Sequence, residues 1–260
     1  MNEIHPTAIV SEQAVLGDDN FIGPYVIIED DVHLGNNNKI AAHSVLKKFT
    51  RLGDSNTLAE HVVLGGLPQD QGFDGRPTYV EVGDGNTLRE GVTINRATKE
   101  KGATRLGNEN YLMALVHIGH DCQLGNNIII APSSGIGGHV HIADRAFISG
   151  GVMVHQFGQI GRYAMLGGNS KITQDCLPYM MTDGVPATVH GLNIVGLKRA
   201  GFKMETIKAL KEAYRLLFRA SLPLEEKLLE IKAIDNEHTQ YLVDFINGSK
   251  RGFHRDKSQD

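Results

Sequence analysis

Residues 4–34 read IHPTAIVSEQAVLGDDNFIGPYVIIEDDVHL, and every sixth position, Ile4, Val10, Leu16, Ile22, Ile28 and Leu34, is aliphatic. The series continues through Ile40, Leu46, Leu52, Leu58 and Leu64, resumes in register at Val82, Leu88 and Ile94, and then runs from Leu106 to Ile172. A six-residue period matches neither the roughly 3.6 of a helix nor the alternation of an extended strand. It fits a short strand followed by a sharp corner. The aliphatic residue points inward at each repeat, and a glycine such as Gly17, Gly23, Gly35, Gly107 or Gly125 helps the chain turn.

Three such strands close a coil of 18 residues. Stacked coils pair their backbones in parallel about 4.8 Å apart. The expected fold is an all-β parallel β-helix of hexapeptide repeats over residues 1–190, a prism with three flat faces. The series is interrupted at 65–81 (GGLPQDQGFDGRPTYVE) and 95–105 (NRATKEKGATR), which read as loops thrown out from the prism. Loops on a rigid scaffold are where binding groups tend to sit. After Ile172 the pattern changes, and Ile207, Leu210, Tyr214, Leu217 and Phe218 fall at helical spacing. A small α-helical C-terminal region is expected over 191–250, covering the open end of the prism. The polar stretch 251–260, RGFHRDKSQD, reads as a disordered tail.

Composition bounds the function. With 30 glycines and no tryptophan, the chain has many tight corners rather than a core of large aromatics. The net charge of −4 gives no global attraction to nucleic acid or to an anionic membrane surface. No stretch approaches the roughly 18 to 20 apolar residues of a membrane span, and MNEIHPTAIV lacks the basic start and apolar run of a signal peptide. The expected location is the cytoplasm. Cys122 and Cys176 stand three coils apart, roughly 14 Å at the strand spacing, too far for a disulfide. They read as small core residues.

Folding the chain onto its coil gives a positional expectation, because residues 18 apart share a face of neighbouring coils. His120 then lies beside Gly138 and Gly138 beside Gln156; Asp121 lies beside His139; Gly119, Gly137 and His155 line up. HIGHDC, GIGGHV and MVHQFG become three layers of one patch holding His117, His120, His139, His155, Asp121 and Gln156. Four readings compete: a solvated surface, a histidine metal site, a passive binding surface, and general-base catalysis. In the last, neutral His120 takes a proton from a hydroxyl while Asp121 fixes its tautomer.

HPTAIV at the start, PQD at 68–70, HIGHDC, GGHV, VHQF at 154–157, the glycine pair 167–168 and NIVGLKRAGF at 193–202 together carry a family likeness. The chain resembles the UDP-N-acetylglucosamine 3-O-acyltransferases that start lipid A synthesis in Gram-negative bacteria. The resemblance implies left-handed coiling and transfer of a 3-hydroxyacyl chain from acyl carrier protein to the sugar 3-hydroxyl, without cofactor or metal. It implies His120 as general base, Asp121 as its orienting carboxylate and Gly138 as the backbone N–H donor to the oxyanion. His117, His139, His155 and Gln156 match positions that contact the sugar nucleotide or acyl donor. Asp70 matches a sugar-nucleotide contact, Asn193 and Arg199 match uridine and phosphate contacts, and Gly168 matches the site that limits acyl length. Members are homotrimers with sites between subunits.

Gly72 stands where some members have lysine, Asn95 where they have histidine, Val195 where they have glutamate and Ala200 where they have a second arginine. These departures surround nucleotide and donor binding, and they leave open N-acylation of a 3-amino sugar analogue. The histidine patch leaves open a γ-carbonic-anhydrase-like zinc enzyme, and the repeat pattern a noncatalytic hexapeptide scaffold. The glucosamine N-acyltransferases of the same pathway carry a separate uridine-binding domain before the prism, whereas here the repeats start at Ile4.

Overall fold

A computed structural model describes residues 1–256. Short strands, most of two residues, stack into three parallel sheets of a left-handed β-helix. In most the first residue faces out and the second, the aliphatic of the six-residue period, is buried. Sheet A begins at Glu3–Ile4, sheet B at Ile9–Val10 and sheet C at Val15–Leu16, and the chain visits them in that order on each coil. Register is strict: Ile22 pairs with Ile40, Ile28 with Leu46 and Leu34 with Leu52. The inward residues, with Val26, Val32, Val62, Val116 and Val140 from the corners, form one continuous core.

The corner glycines have a different role from the one expected. Gly17, Gly35 and Gly107 do not adopt positive φ; the left-handed residue of each corner comes later and is Tyr25, Asp31 or Asn37, for example, at φ 58°, 54° and 56°. A Cβ on Gly17 would lie 2.6 Å from the Gly35 carbonyl oxygen, and one on Gly35 2.7 Å from that of Gly53. The glycines are there because successive coils approach backbone to backbone at that point.

An amide ladder runs through the corner between sheets C and A. Asn38, Asn56, Asn86 and Asn110 each donate through Nδ2 to the Oδ1 of the asparagine one coil earlier, at 2.9–3.1 Å. These side chains are buried, and each link satisfies groups that would otherwise be orphaned in the core.

The prism is interrupted twice, between Val63–Gly66 and Tyr79–Val82, and between Thr93–Asn95 and Ala103–Leu106. Both insertions leave the same corner, between sheets B and C, on adjacent coils. Beyond Ile172, Cys176 pairs with Ile160 and the hairpin Met180–Gly184/Ala187–Leu192 extends sheet A. Helices α1 (Ile194–Arg199), α2 (Met204–Arg219), α3 (Leu224–Ala233) and α4 (Glu237–Gly248) follow. Leu217, Phe218, Ile231, Leu242 and Ile246 of the helices pack with Leu177, Met180 and Val189 at the end of the prism.

Residues 251–256 are ordered, contrary to the expectation of a disordered tail. Phe253 bridges Asp175, and Asp256 bridges Val189 and accepts from Tyr214 while pairing with Arg219 at 3.0 Å. His254 is 3% exposed. The polar composition misled because the charges are consumed by docking partners far away in sequence. The rest of that stretch, 257–260, lies outside the described residues. Among the described residues no helix is long and apolar enough to cross a membrane.

Candidate active site

Corner geometry brings the histidine layers together. His117–Ile118 pairs with Gly135–Ile136, which pairs with Met153–Val154, so the turns after these sheet B strands stack one above another. His120 and Asp121 occupy the first turn, Gly138 and His139 the second, Gln156 and Phe157 the third. A cavity of about 370 Å³ is lined by Gln69, Asn95, His117, His120, Gly138 and Gln156 among others.

His120 Nδ1 lies 2.8 Å from Asp121 Oδ2, with the two side chains 13% and 10% exposed. An ionised carboxylate can only accept, so Nδ1 donates to it, and in the neutral imidazole that tautomer leaves Nε2 its lone pair. Asp121 is itself gripped by the second insertion. Thr98 donates its N–H at 3.1 Å and its hydroxyl at 2.7 Å to Oδ2, and the Asp121 N–H donates to Thr104 Oγ1 at 2.8 Å. Burial opposes ionisation of Asp121, but the hydrogen bonds from His120 and Thr98 together outweigh it and hold its pKa below the ordinary value.

Gly138 packs directly on the His120 ring. An added Cβ would stand 2.6 Å from Cε1 and 2.7 Å from Nε2, so any side chain would displace the imidazole. At the corners between sheets C and A the second N–H after the strand is taken by a side chain, as Asp18 N–H by Asn36 Oδ1, whereas between sheets B and C this happens at Lys48 but not at Asp30, His120 or Gln156. Among the described residues the Gly138 N–H has no such acceptor, leaving a free donor beside His120.

His117 Nδ1 is held by Thr93 Oγ1 at 2.8 Å. Its pKa is lowered by burial and, secondarily, by His120. His139 stands edge-on to His120 with ring centroids 5.1 Å apart and stacks on Phe157 at 4.6 Å. Burial lowers its pKa although Asp121, 3.6 Å away, pulls the other way. Asp70, exposed in the first insertion, caps the turn to Gly72 and is close enough to act electrostatically on His139. Gln156 lines the cavity, whereas His155 is exposed beside it, with Nδ1 3.0 Å from the Gln156 carbonyl.

His120, Asp121 and His139 also present ligand-type atoms within 4.8 Å of one another. The Asp121 oxygens already accept from Thr98 and His120, so the carboxylate is committed to a hydrogen-bond network before any cation is considered.

Asn193 and Arg199 are not in this cavity. Asn193 caps α1, accepting from the Gly196 N–H at 3.0 Å and donating through Nδ2 to the Tyr163 carbonyl. With Arg199, Val195 and Ala200 it lines a second cavity of about 580 Å³ over the outer face of sheet A. In a triangular prism that face is opposite the corner between sheets B and C. Gly168 lies exposed at the corner between sheets A and B, where an added Cβ would meet nothing closer than 3.6 Å.

Sequence arithmetic missed Thr98, Thr93, Gln69 and Phe157. Thr93 precedes His117 by 24 residues because the second insertion intervenes, so counting by coils passes over it. Thr98 and Gln69 lie inside the insertions, where no periodicity speaks. Cys122, in the same turn, is buried and donates its thiol to the Gly137 carbonyl at 3.0 Å; burial pushes its pKa up to about 12.

The prism of hexapeptide coils, with a half-buried histidine–carboxylate pair in a corner groove, places the chain among the hexapeptide acyltransferases. A family model described as UDP-N-acetylglucosamine O-acyltransferase, domain 2, matches residues 175–254, and a bacterial transferase hexapeptide model matches 13–48 and 103–138. The acyl-[acyl-carrier-protein]–UDP-N-acetylglucosamine O-acyltransferase of Janthinobacterium sp. is 45% identical over 98% of this chain and 100% of its own length. That of Paraburkholderia phymatum is 44% identical over the same shares. Among solved structures, the UDP-N-acetylglucosamine acyltransferase of Bacteroides fragilis superposes with a TM-score of 0.95 at 38% identity, covering 97% of this chain and 100% of that one. The enzyme of Moraxella catarrhalis superposes at 0.93 with 42% identity, covering 97% and 99%. The chain belongs to the acyl-carrier-protein:UDP-N-acetylglucosamine O-acyltransferase family.

Proposed function

We propose that the protein transfers a 3-hydroxyacyl chain from acyl carrier protein to the 3-hydroxyl of UDP-N-acetylglucosamine, the first step of lipid A synthesis, with His120 as general base. The observation that carries the mechanism is the His120–Asp121 pair at 2.8 Å beside the unpaired Gly138 N–H. The sugar hydroxyl gives its proton to His120 Nε2 as its oxygen attacks the thioester carbonyl. Asp121 stabilises the imidazolium that forms. The Gly138 N–H donates to the oxyanion of the tetrahedral intermediate, which collapses as the protonated imidazole returns a proton to the departing thiolate. The base contributes on the order of 10²- to 10⁴-fold, and the preorganised donor a comparable share.

Gln69, Asp70, His117, His139, His155 and Gln156 hold sugar and donor around this centre, and Gly168 leaves room for a long acyl chain. Asn193 contacts the uridine and Arg199 a substrate phosphate. Because one chain places them across the prism from His120, the complete site lies between copies, and a homotrimer meets that requirement with three equivalent sites. The protein works in the cytoplasm.

The test is a matrix of UDP-sugars against 3-hydroxyacyl carrier proteins of different lengths. Acylation of UDP-N-acetylglucosamine is the expected outcome. Activity confined to the 3-amino analogue would reassign the acceptor, and stoichiometric zinc in the purified protein with no transfer to either sugar would overturn the reading.

A further inference from the structure

The cavity lined by Asn193 and Arg199 holds a second arginine, Arg145. It occupies the left-handed position of the corner between sheets C and A, at φ 59°. In other coils that column is filled by Asp19, Asn37, Ser55, Gly85 and Asn127, with Glu109 before it and Tyr163 after it the longer chains. Short polar residues and glycine tolerate left-handed backbone; arginine has no such advantage. The local preference is thus broken at Arg145 and Tyr163, both of which line the cavity, a pattern expected where a side chain is kept for what it contacts. The backbone there is fixed by the Arg145 N–H donating to the Asn126 carbonyl at 2.9 Å. Among the described residues the Arg145 and Arg199 guanidinium groups have neither an acidic partner nor a hydrogen-bond acceptor, and both residues are exposed.

The surroundings say what the pair would hold. One coil beyond Arg145 is Tyr163, whose carbonyl is bonded by Asn193 Nδ2. The floor is apolar, made by Ile129, Phe147, Met165 and Met181, and Ala200 on the same wall offers no charge. No carboxylate lines the cavity. Two unpaired forks at the edge of an apolar floor suit an anion with several acceptor oxygens attached to a larger body, and guanidinium recognises phosphate through two parallel bonds.

We propose that Arg145 and Arg199 together bind a phosphate group of a substrate, making Arg145 a specificity-determining residue. The inference rests on the acyl-transfer reading above, whose substrates offer two such groups: the diphosphate of the sugar nucleotide and the phosphate of the carrier's pantetheine arm. Both present the same chemistry to the pair.

The experiment is steady-state kinetics of Arg145→Asn and Arg145→Lys, varying each substrate in turn against wild type. Asparagine suits the left-handed corner, so Arg145→Asn removes the charge and keeps a thermal midpoint at or above that of wild type. The expected result is a KM raised about tenfold or more for one substrate with kcat within threefold. Arg145→Lys recovers part of the loss, since an ammonium keeps the charge without the fork. A rise confined to the sugar nucleotide assigns the diphosphate; one confined to the acyl donor assigns the pantetheine phosphate. Both KM values within twofold of wild type in Arg145→Asn, or a fall in kcat alone, would overturn the inference while leaving the acyl-transfer reading intact. A wild-type protein that transfers no acyl group would instead overturn that reading.

Discussion

Thr98 and Asp121 lie 23 residues apart and are joined twice, the Thr98 hydroxyl donating at 2.7 Å and its backbone N–H at 3.1 Å to the same carboxylate oxygen. That oxygen also accepts from His120 Nδ1. The second insertion therefore reaches back over the corner and sets the angle of the carboxylate that sets the angle of the imidazole. Thr98 is a positioning residue, acting through Asp121 rather than on substrate. Thr98→Ala is expected to lower kcat about tenfold, ~1.4 kcal/mol of barrier, with both KM values little changed. Thr98→Ser should recover most of the rate. Failure of serine to recover it would show that the methyl group's packing, not the hydrogen bond, matters.

The asparagine ladder makes a stability prediction independent of function. Asn56 is fully buried, donates to Asn38 Oδ1 at 3.1 Å and accepts from Asn86 Nδ2 at 3.0 Å. Asn56→Ala leaves Asn38 Oδ1 with the Asn56 backbone N–H but orphans the Asn86 backbone N–H and one Asn86 Nδ2 proton, both of which donate to Asn56 Oδ1. Each orphan costs about 1–3 kcal/mol, so denaturant unfolding should show a loss of at least about 2 kcal/mol with the active-site geometry untouched. An unchanged midpoint would mean that water replaces the lost amide.

The half-buried histidines fix the sign of the pH dependence. Burial lowers the pKa of His117 and His139 in the fold, whereas the unfolded chain takes up protons near the ordinary histidine value of 6.5. The stability they contribute is present above that value and declines as the pH falls toward their folded values. Asp121, also lowered, adds a loss of the same sign further into acid, as the pH falls below the ordinary aspartate value of 3.8 and through its folded value. The thermal midpoint should fall between pH 7.5 and pH 5, and by less in His117→Asn. An equal fall in that variant would remove His117 from this account.

How much of this could be read beforehand follows from what periodicity encodes. The aliphatic ladder from Ile22 to Ile172 fixed the coil, and the coil placed His120, Gly138 and Gln156 in successive layers, as the structure has them. Periodicity is silent where the chain leaves the prism, so Thr98 and Gln69 were visible only as members of loops. It also says nothing of which side of a corner needs a glycine: Gly35 matters for the approach of Gly53, not for φ. Nor could the polar tail reveal that Asp256 docks on Tyr214 and Arg219.

Gly168 supplies a specificity test. An added Cβ would sit in ordinary contact, 3.6 Å from the Gly150 carbonyl oxygen, so a larger side chain can be accommodated without moving backbone. Gly168→Met should leave the thermal midpoint within a few degrees of wild type and shift preference toward shorter acyl chains by tenfold or more, ~1.4 kcal/mol. Unaltered chain preference would place the acyl terminus elsewhere.

The central claim is that His120 takes the proton of the acceptor hydroxyl. Its most direct test is single-turnover transfer by His120→Ala with both substrates saturating, alongside UDP-sugar binding by calorimetry. The account predicts wild-type binding of the UDP-sugar and a rate reduced at least about 10²-fold. A rate within threefold of wild type would contradict it.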